Sequence, residues 1–323
     1  MKAVFVILHY LTAEDTLACV RSILGHPDTN ACNYEIVIVD NNSNNGSLEI
    51  LQAAFAPEPL VHLLPLTANL GFARGNNAGF AMAKNQLQAD FIVMINNDTV
   101  IEQPGFLDAI VRKYEADPFD ILGPDIVTLD QRHQNPKALA GFDRATLQRK
   151  IKRVRRDLWL TRTHVYNLLI VIDRLSHKNK DLQKSAGTMT QSENPAKSSD
   201  LPPAKSTGQP PVKSSALVAK TNIVPHGSCL IFSPRYVQKY KGIYSGTFLY
   251  CEEEILWYIA QQEQLKIVFW PQIQILHKED RATLASTRTV HHKRIFKLTH
   301  ELNSLRQLQA MMIDPQVYRS DLL

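Results

Sequence analysis

Glu35-Ile36-Val37-Ile38-Val39-Asp40-Asn41-Asn42-Ser43-Asn44-Asn45-Gly46-Ser47 decides the fold class. It opens with a short β-branched run, the pattern of a strand buried on both faces. Asn41 to Gly46 is a dense turn signal, and Ser47–Phe55 reads as the helix it leads into. Working outward, the same unit repeats. Ala3–Leu8 predicts an earlier buried strand, and Ala13–Leu24 a helix with Leu17, Val20, Ile23 and Leu24 at helical spacing. Leu60–Leu64 predicts a third strand, Gly75–Asn85 a helix, and Phe91–Ile95 a fourth strand ending at Asn96-Asn97-Asp98. Strands alternating with helices predict an α/β fold around a mostly parallel sheet. Polar residues cluster just past the C-terminal ends of the strands, where open α/β sheets bind ligands.

The chain has 323 residues, 44% hydrophobic and 21% charged, enough for one large domain or two smaller ones. No run approaches the ~18 consecutive apolar residues of a spanning helix, which argues against an integral membrane protein. His9 breaks the apolar N-terminus too early for a signal-peptide core, so a first strand is expected there. Cys19, Cys32, Cys229 and Cys251 are scattered, with no CxxC pair. That points to a reducing compartment and away from a zinc site; the cytoplasm is the expected location.

The net charge of +5 hides an asymmetry. Residues 144–184 carry twelve Lys/Arg against three Asp, a local +9 on an otherwise mildly acidic chain. Residues 144–176 read as a basic, then apolar, helical stretch. Residues 185–220 hold five Pro, seven Ser and four Lys without an aromatic residue, and such a segment is expected to be a flexible linker. Order is expected to resume at Ile223–Ser233, followed by a helix near Cys251–Glu263, a strand at Ile267–Trp270 and C-terminal helices. The organisation expected is one domain, split by an insertion at 131–221 into halves 1–130 and 222–285, with C-terminal helices at 286–323.

Three short motifs carry chemistry. In Val39-Asp40-Asn41-Asn42-Ser43, an ionised Asp40 can only accept hydrogen bonds, which suits a base or ribose; an Asx turn capping the next helix is the competing reading. In Asn69-Leu70-Gly71-Phe72-Ala73-Arg74-Gly75-Asn76-Asn77-Ala78-Gly79, backbone N–H groups, a helix dipole and Arg74 could meet a phosphate. It is not a GxGxxG fingerprint, and read alone it suits a structural loop. In Asn96-Asn97-Asp98, a carboxylate at a strand end suits Mg²⁺ or Mn²⁺, which keep most positions for water and substrate phosphates.

In this order and spacing the motifs resemble the family 2 glycosyltransferases of GT-A (Rossmann-like) fold. The resemblance runs through Ile7-Leu8-His9-Tyr10, the three motifs above, His226-Gly227-Ser228-Cys229-Leu230, Thr247-Phe248-Leu249-Tyr250-Cys251-Glu252-Glu253-Glu254 and His277. It covers about residues 1–130 and 222–280, and is nearest to bacterial rhamnosyltransferase-like and capsular or cell-wall polysaccharide members. It implies that Asp40 binds the nucleobase or ribose, helped by backbone near His9 and Tyr10, with Asn42 beside it. Asn69, Gly71, Arg74 and Asn77 would line the nucleotide-sugar pocket together with Asn97. Asp98 would hold a divalent metal, with Asn96 where many members have a first acid and His277 nearby. The family pattern Tyr-x-acid-acid puts Glu253 at the general base, although the common residue there is Asp. Successive helix positions point about 100° apart, so one carboxylate of the run serves a given atom, with Glu252 the reserve. A charged helix N-terminus stabilised by the dipole is the competing reading.

Arg149-Lys150-Ile151-Lys152-Arg153-Val154-Arg155-Arg156, then Leu158-Trp159-Leu160 and Val165–Ile172, suit a helix lying on an anionic membrane surface across 144–176. A solvated basic helix is the plainer alternative, and with no RNP, KH or zinc-finger pattern nucleic acid is not an expected partner. The resemblance implies an inverting, metal-dependent hexosyl- or rhamnosyltransferase. It would move sugar from a UDP- or dTDP-sugar donor to a hydroxyl of a glycan or lipid-linked acceptor, peripherally on the inner face of the cell membrane. The alternative is a non-catalytic nucleotide-sugar-binding subunit partnering an active transferase.

Overall fold

The computed structural model describes residues 1–25, 32–163, 218–279 and 290–322. Its centre is a nine-stranded sheet. The N-terminal part alternates β1 (Lys2–His9), α1 (Ala13–Leu24), β2 (Asn33–Asp40), α2 (Ser47–Phe55), β3 (Val61–Pro65), α3 (Gly71–Asn85) and β4 (Phe91–Asn96). A two-residue β5 (Thr99–Val100), α4 (Phe106–Ala116), β6 (Ile121–Thr128) and α5 (Arg144–Arg162) follow. After the undescribed stretch come β7 (Lys220–Thr221), β8 (Cys229–Phe232), α6 (Pro234–Lys239), α7 (Glu252–Gln262), β9 (Ile267–His277), α8 (Val290–Ile313) and α9 (Gln316–Leu322). The strand order is β3-β2-β1-β4-β8-β6-β9-β5, with β7 beside β9. β1 to β4 are mutually parallel, β8 runs antiparallel between β4 and β6, and β6 and β9 are parallel.

Strand alternation divides the core. Ala3, Phe5, Ile7, Ile36, Ile38, Val93 and Ile95 face α1, α2 and α4. Val4, Val6, Val37, Val39, Ile92 and Met94 face α3 and the C-terminal helices. Both faces are covered, so the strands read as unbroken apolar runs. This is a mostly parallel sheet flanked by helices, the GT-A class.

Several boundaries differ from expectation. α3 begins at Gly71, four residues before the expected Gly75, and β9 continues to His277. β6 was not anticipated: Gly123-Pro124-Asp125 interrupts its apolar run, yet all eight residues are buried. α4 likewise carried no expectation. The basic segment of the insertion forms α5, capped by Asp143, whose carboxylate accepts from the Thr146 N–H at 2.6 Å. It packs against α8, burying Leu147, Val154 and Leu158 in the same core as Leu302 and Leu305. Residues 131–138 also touch the sheet region, through bridges Val127–His133 and Ala138–Val224. The Val165–Ile172 run and residues 185–217 of the expected linker lie outside the described residues. Among those described, no helix is long and apolar enough to cross a membrane.

Candidate active site

The strand-end polar residues gather along one edge of the sheet, in two environments. The first is built on β2 and α3. Asp40 is 2% exposed and accepts from the Ser43 N–H at 3.2 Å, closing the turn after β2. Asn42 holds a left-handed φ of 62° in that turn and is half-buried. His9 is fully buried, with Nδ1 2.8 Å from the Thr16 hydroxyl and Nε2 2.8 Å from that of Ser47. Burial, opposed by Asp40, lowers its pKa to about 4, so it stays neutral. Its side chain is closed to a ligand, and the His9 and Tyr10 carbonyls accept from the Asn41 and Thr12 N–H groups, both at 2.9 Å.

The α3 motif departs most from expectation. Asn41 donates to the Asn69 side-chain oxygen (3.1 Å) and to the Gly71 carbonyl (3.3 Å), and accepts from the Leu70 N–H (2.9 Å). Gly71 N–H donates to Asn69 at 2.9 Å, and Phe72 N–H to the Phe248 carbonyl at 2.7 Å. The leading N–H groups of the helix are thus taken by protein and are not an open phosphate cradle. Gly71 has φ +80°, and a Cβ there would lie 2.3 Å from the Phe248 carbonyl oxygen. A Cβ on Gly79 would lie 2.4 Å from Val6 Cγ1. These glycines therefore allow close packing. Asn77 bridges the Ile243 backbone in both directions (2.6 and 2.9 Å), and Arg74 donates to the Ser245 carbonyl at 3.0 Å. Asn97 donates to the hydroxyls of Thr12 and Thr16. Asn69, Asn77 and Asn97 therefore use their amides to tie elements together.

The second environment lies where β4, β5 and β9 end. Asp98 sits in the β4–β5 turn, beside half-buried Asn96. The pairing of Thr99 with His277 brings the imidazole alongside, with His277 Nε2 3.4 Å from Asp98 Oδ2. Asp98 Oδ1 is buried without a hydrogen-bond partner. Buried carboxylate oxygens are rarely left unpaired, so this one has capacity to accept from, or coordinate, a further group. Among the described residues no cluster of three or more His, Cys, Asp or Glu forms. The donors present are one carboxylate and one imidazole, with an amide beside them. That set fits a hard divalent cation completing its shell with water and phosphate oxygens.

The acidic helix stands beside this turn. His226 packs edge-on against His277, ring centroids 5.6 Å apart, and Nδ1 of His226 lies 2.6 Å from the Ser228 hydroxyl. The next residue, Gly227, donates its N–H to Glu253 Oε1 at 3.2 Å. Lys137 reaches Glu253 Oε2 at 3.1 Å and Glu254 Oε1 at 2.9 Å. A chain of contacts therefore runs from Asp98 through His277, His226 and the adjoining Gly227 N–H to Glu253. Tyr250 and Cys251, both left-handed at φ 73° and 66°, turn the backbone sharply into α7.

The two leading carboxyls diverge in acidity. Burial and then the Glu253 charge push Glu252 up to about 8, so it is protonated at neutral pH. Burial also opposes ionisation of Glu253, but the Lys137 charge and a backbone N–H at the helix start outweigh it and hold its pKa below the usual value. Burial lowers His226 to about 4 despite the Glu253 charge. Gln134, Lys137 and His226 carried no expected role. The first two sit on the connection after β6, where no local motif marks them; only that strand's C-terminal end does.

A mostly parallel sheet with a lone carboxylate past β4 and an acidic helix across from it defines a GT-A-type transferase framework. The model of glycosyl transferase family 2 matches residues 4–168, and the chain belongs to that family. No curated protein matches the sequence. Among solved structures, S. aureus TarS is similar with a TM-score of 0.35 at 17% identity, over 41% of this chain and 23% of that one. S. aureus TarS 1-349 in complex with UDP gives 0.35 at 17% over 41% and 37%, and its complex with UDP-GlcNAc 0.34 at 19% over 41% and 36%. The chain thus spans well under half the length of these structures.

Proposed function

We propose that the protein is an inverting glycosyltransferase that moves a hexosyl or rhamnosyl group from a UDP- or dTDP-sugar to a hydroxyl of a lipid-linked surface-polysaccharide acceptor. Residues 1–130 would hold the donor, and 222–285 the acceptor and catalytic groups. The observation that carries this reading is the contact chain from Asp98, one of whose oxygens has no partner, to the ionised Glu253 carboxylate. In this role Glu253 takes the acceptor hydroxyl's proton as that oxygen attacks the anomeric carbon. Its ionised state suits a base, whereas Glu252, protonated, suits a hydrogen-bond donor and remains the reserve. Asp98 and His277, with Asn96 beside them, would hold Mg²⁺ or Mn²⁺, which when bound supplies Lewis-acid stabilisation of the diphosphate leaving group. Asp40 and the backbone near Tyr10 would meet the nucleoside.

Donor hydrolysis with and without Mn²⁺ tests the reading: turnover that needs the metal is expected. A non-catalytic nucleotide-sugar-binding subunit has one observation in its favour, since both Glu253 oxygens are already engaged by Lys137 and Gly227. Nucleotide binding without any turnover would select it.

The membrane reading rests on α5. Arg149, Lys152, Arg153, Arg155, Arg156 and Arg162 are exposed, and Trp159 is 60% exposed beside them. Each cation near an anionic surface contributes about 1 kcal/mol. Co-sedimentation with anionic vesicles at low salt is expected, and is expected to be lost when Arg149, Lys152, Arg153, Arg155 and Arg156 are changed to Gln. Unlike deletion, this keeps the buried face of α5 against α8.

A further inference from the structure

A hydrogen-bond chain outside the motifs orients His277. Gln134 lies on the connection after β6, fixed by its own N–H to the Ile126 carbonyl at 2.8 Å. Its side-chain amide stands between two groups: Nε2 donates to the Glu279 carboxylate, and Oε1 faces His277 Nδ1 at 2.7 Å. Glu279 is in turn anchored by Arg132 at 3.0 Å, and Arg132 by Asp130 at 2.7 Å.

Donor and acceptor rules leave little freedom along this chain. A carboxylate only accepts, so the Gln134 NH₂ must face Glu279 and its oxygen must face His277. The amide oxygen also only accepts, so His277 Nδ1 carries the proton. In the tautomer with that one N–H, the Nε2 lone pair faces Asp98 Oδ2, 3.4 Å away. Two acceptors then face each other, and the other oxygen of Asp98 is buried with no partner. A divalent cation held by both groups would satisfy that arrangement.

We propose that Gln134, locked by Glu279, is a positioning residue that holds His277 in the Nδ1–H tautomer and keeps Nε2 open toward Asp98 for a divalent cation. The purpose rests on the metal reading above, while the tautomer follows from this chain's own hydrogen bonds. Without the Gln134 acceptor, the proton can move to Nε2 and donate to Asp98, which closes the site. Groups that orient metal-binding imidazoles typically change metal affinity by about 10- to 100-fold when removed.

Long-range ¹H–¹⁵N NMR of the imidazoles, which reports protonation and tautomer directly, tests this on the full, metal-free chain. His277→Gln assigns the signal. The expected result is an Nδ1–H tautomer in wild type, retained in Gln134→Glu, which keeps an acceptor, and switched to Nε2–H in Gln134→Met. Mn²⁺ titrated in the presence of UDP should bind about 10- to 100-fold more weakly to Gln134→Met than to wild type. An Nε2–H signal in wild type, or an unchanged tautomer in Gln134→Met, overturns the proposal. So does equal Mn²⁺ affinity in wild type and Gln134→Met, with the metal site itself intact. Failure of wild type to bind Mn²⁺ at all overturns the metal site, and with it this purpose for Gln134.

Discussion

The α3 motif and the β4–β5 turn carry similar sequence signals but hold their polar groups in opposite states. In the Asn69–Gly79 stretch the amides of Asn69 and Asn77 are bonded within the protein, as is Asn41 next to it. In the Asn96–Asp98 turn a carboxylate oxygen is buried with nothing to bond. Both are polar, Asn-rich and close to strand ends. The difference teaches that such residues divide into those whose polar groups are spent within the fold and those that keep one unfilled. Hydrogen-bond accounting separates the two where sequence does not.

Substitutions should break along the same line. The largest effect is expected at Glu253, at the far end of the contact chain from Asp98. Glu253→Gln keeps the shape but cannot take a proton, so turnover should fall about 10²-fold or more with donor affinity nearly unchanged. Steady-state kinetics on the wild type and this variant check it, and the same loss in Glu252→Gln instead would move the base by one residue.

On the scaffold side the effect should be on stability. In Gly79→Ala the new methyl meets Val6 and Val39, both stiff strand residues. Overpacking typically costs about 1–3 kcal/mol, and the gain in helix propensity of about 1 kcal/mol offsets part of it. A lower urea midpoint with unchanged nucleotide affinity in the folded fraction is expected.

A smaller effect concerns Glu252, which sharpens the contrast between engaged and strained groups at the site. Its folded pKa of about 8 lies above its ordinary 4.5, so between those values the folded chain holds a proton that the unfolded chain has released. Stability from this group therefore falls as pH rises from about 4.5 to about 8. His226, lowered to about 4, acts oppositely: its contribution is lost as pH falls below about 6.5. Urea titrations across this range should show a shallower alkaline decline in Glu252→Gln than in wild type.

Much of the fold was legible because buried parallel strands and amphipathic helices leave periodic traces. The spans of α1 and α2 agree residue for residue with their apolar spacing, and β1, β2 and β4 differ by one or two residues at their ends. β6 was not legible, because Gly123 and Pro124 imitate a turn in a strand whose burial is decided by its neighbours β8 and β9. At the site, Asp98 and the acidic run stand out as local motifs. The neighbours of Glu253 and His277, Lys137 and Gln134, do not. Each contacts residues more than 100 positions away; the β6–β9 pairing sets Gln134 against His277, while Lys137 meets the acidic helix. The internal bonding of Asn77 was illegible for the same reason, since its partner Ile243 lies 166 residues on.

The most direct test of the account is a paired measurement on Asp98→Ala: urea stability, and UDP affinity with Mn²⁺ against chelator. Because Asp98 Oδ1 contributes no internal hydrogen bond, stability should stay within about 1 kcal/mol of wild type, while the metal-dependent part of UDP binding disappears. A variant that loses stability but keeps metal-dependent UDP binding would contradict the account, making Asp98 part of the scaffold like the amides of α3.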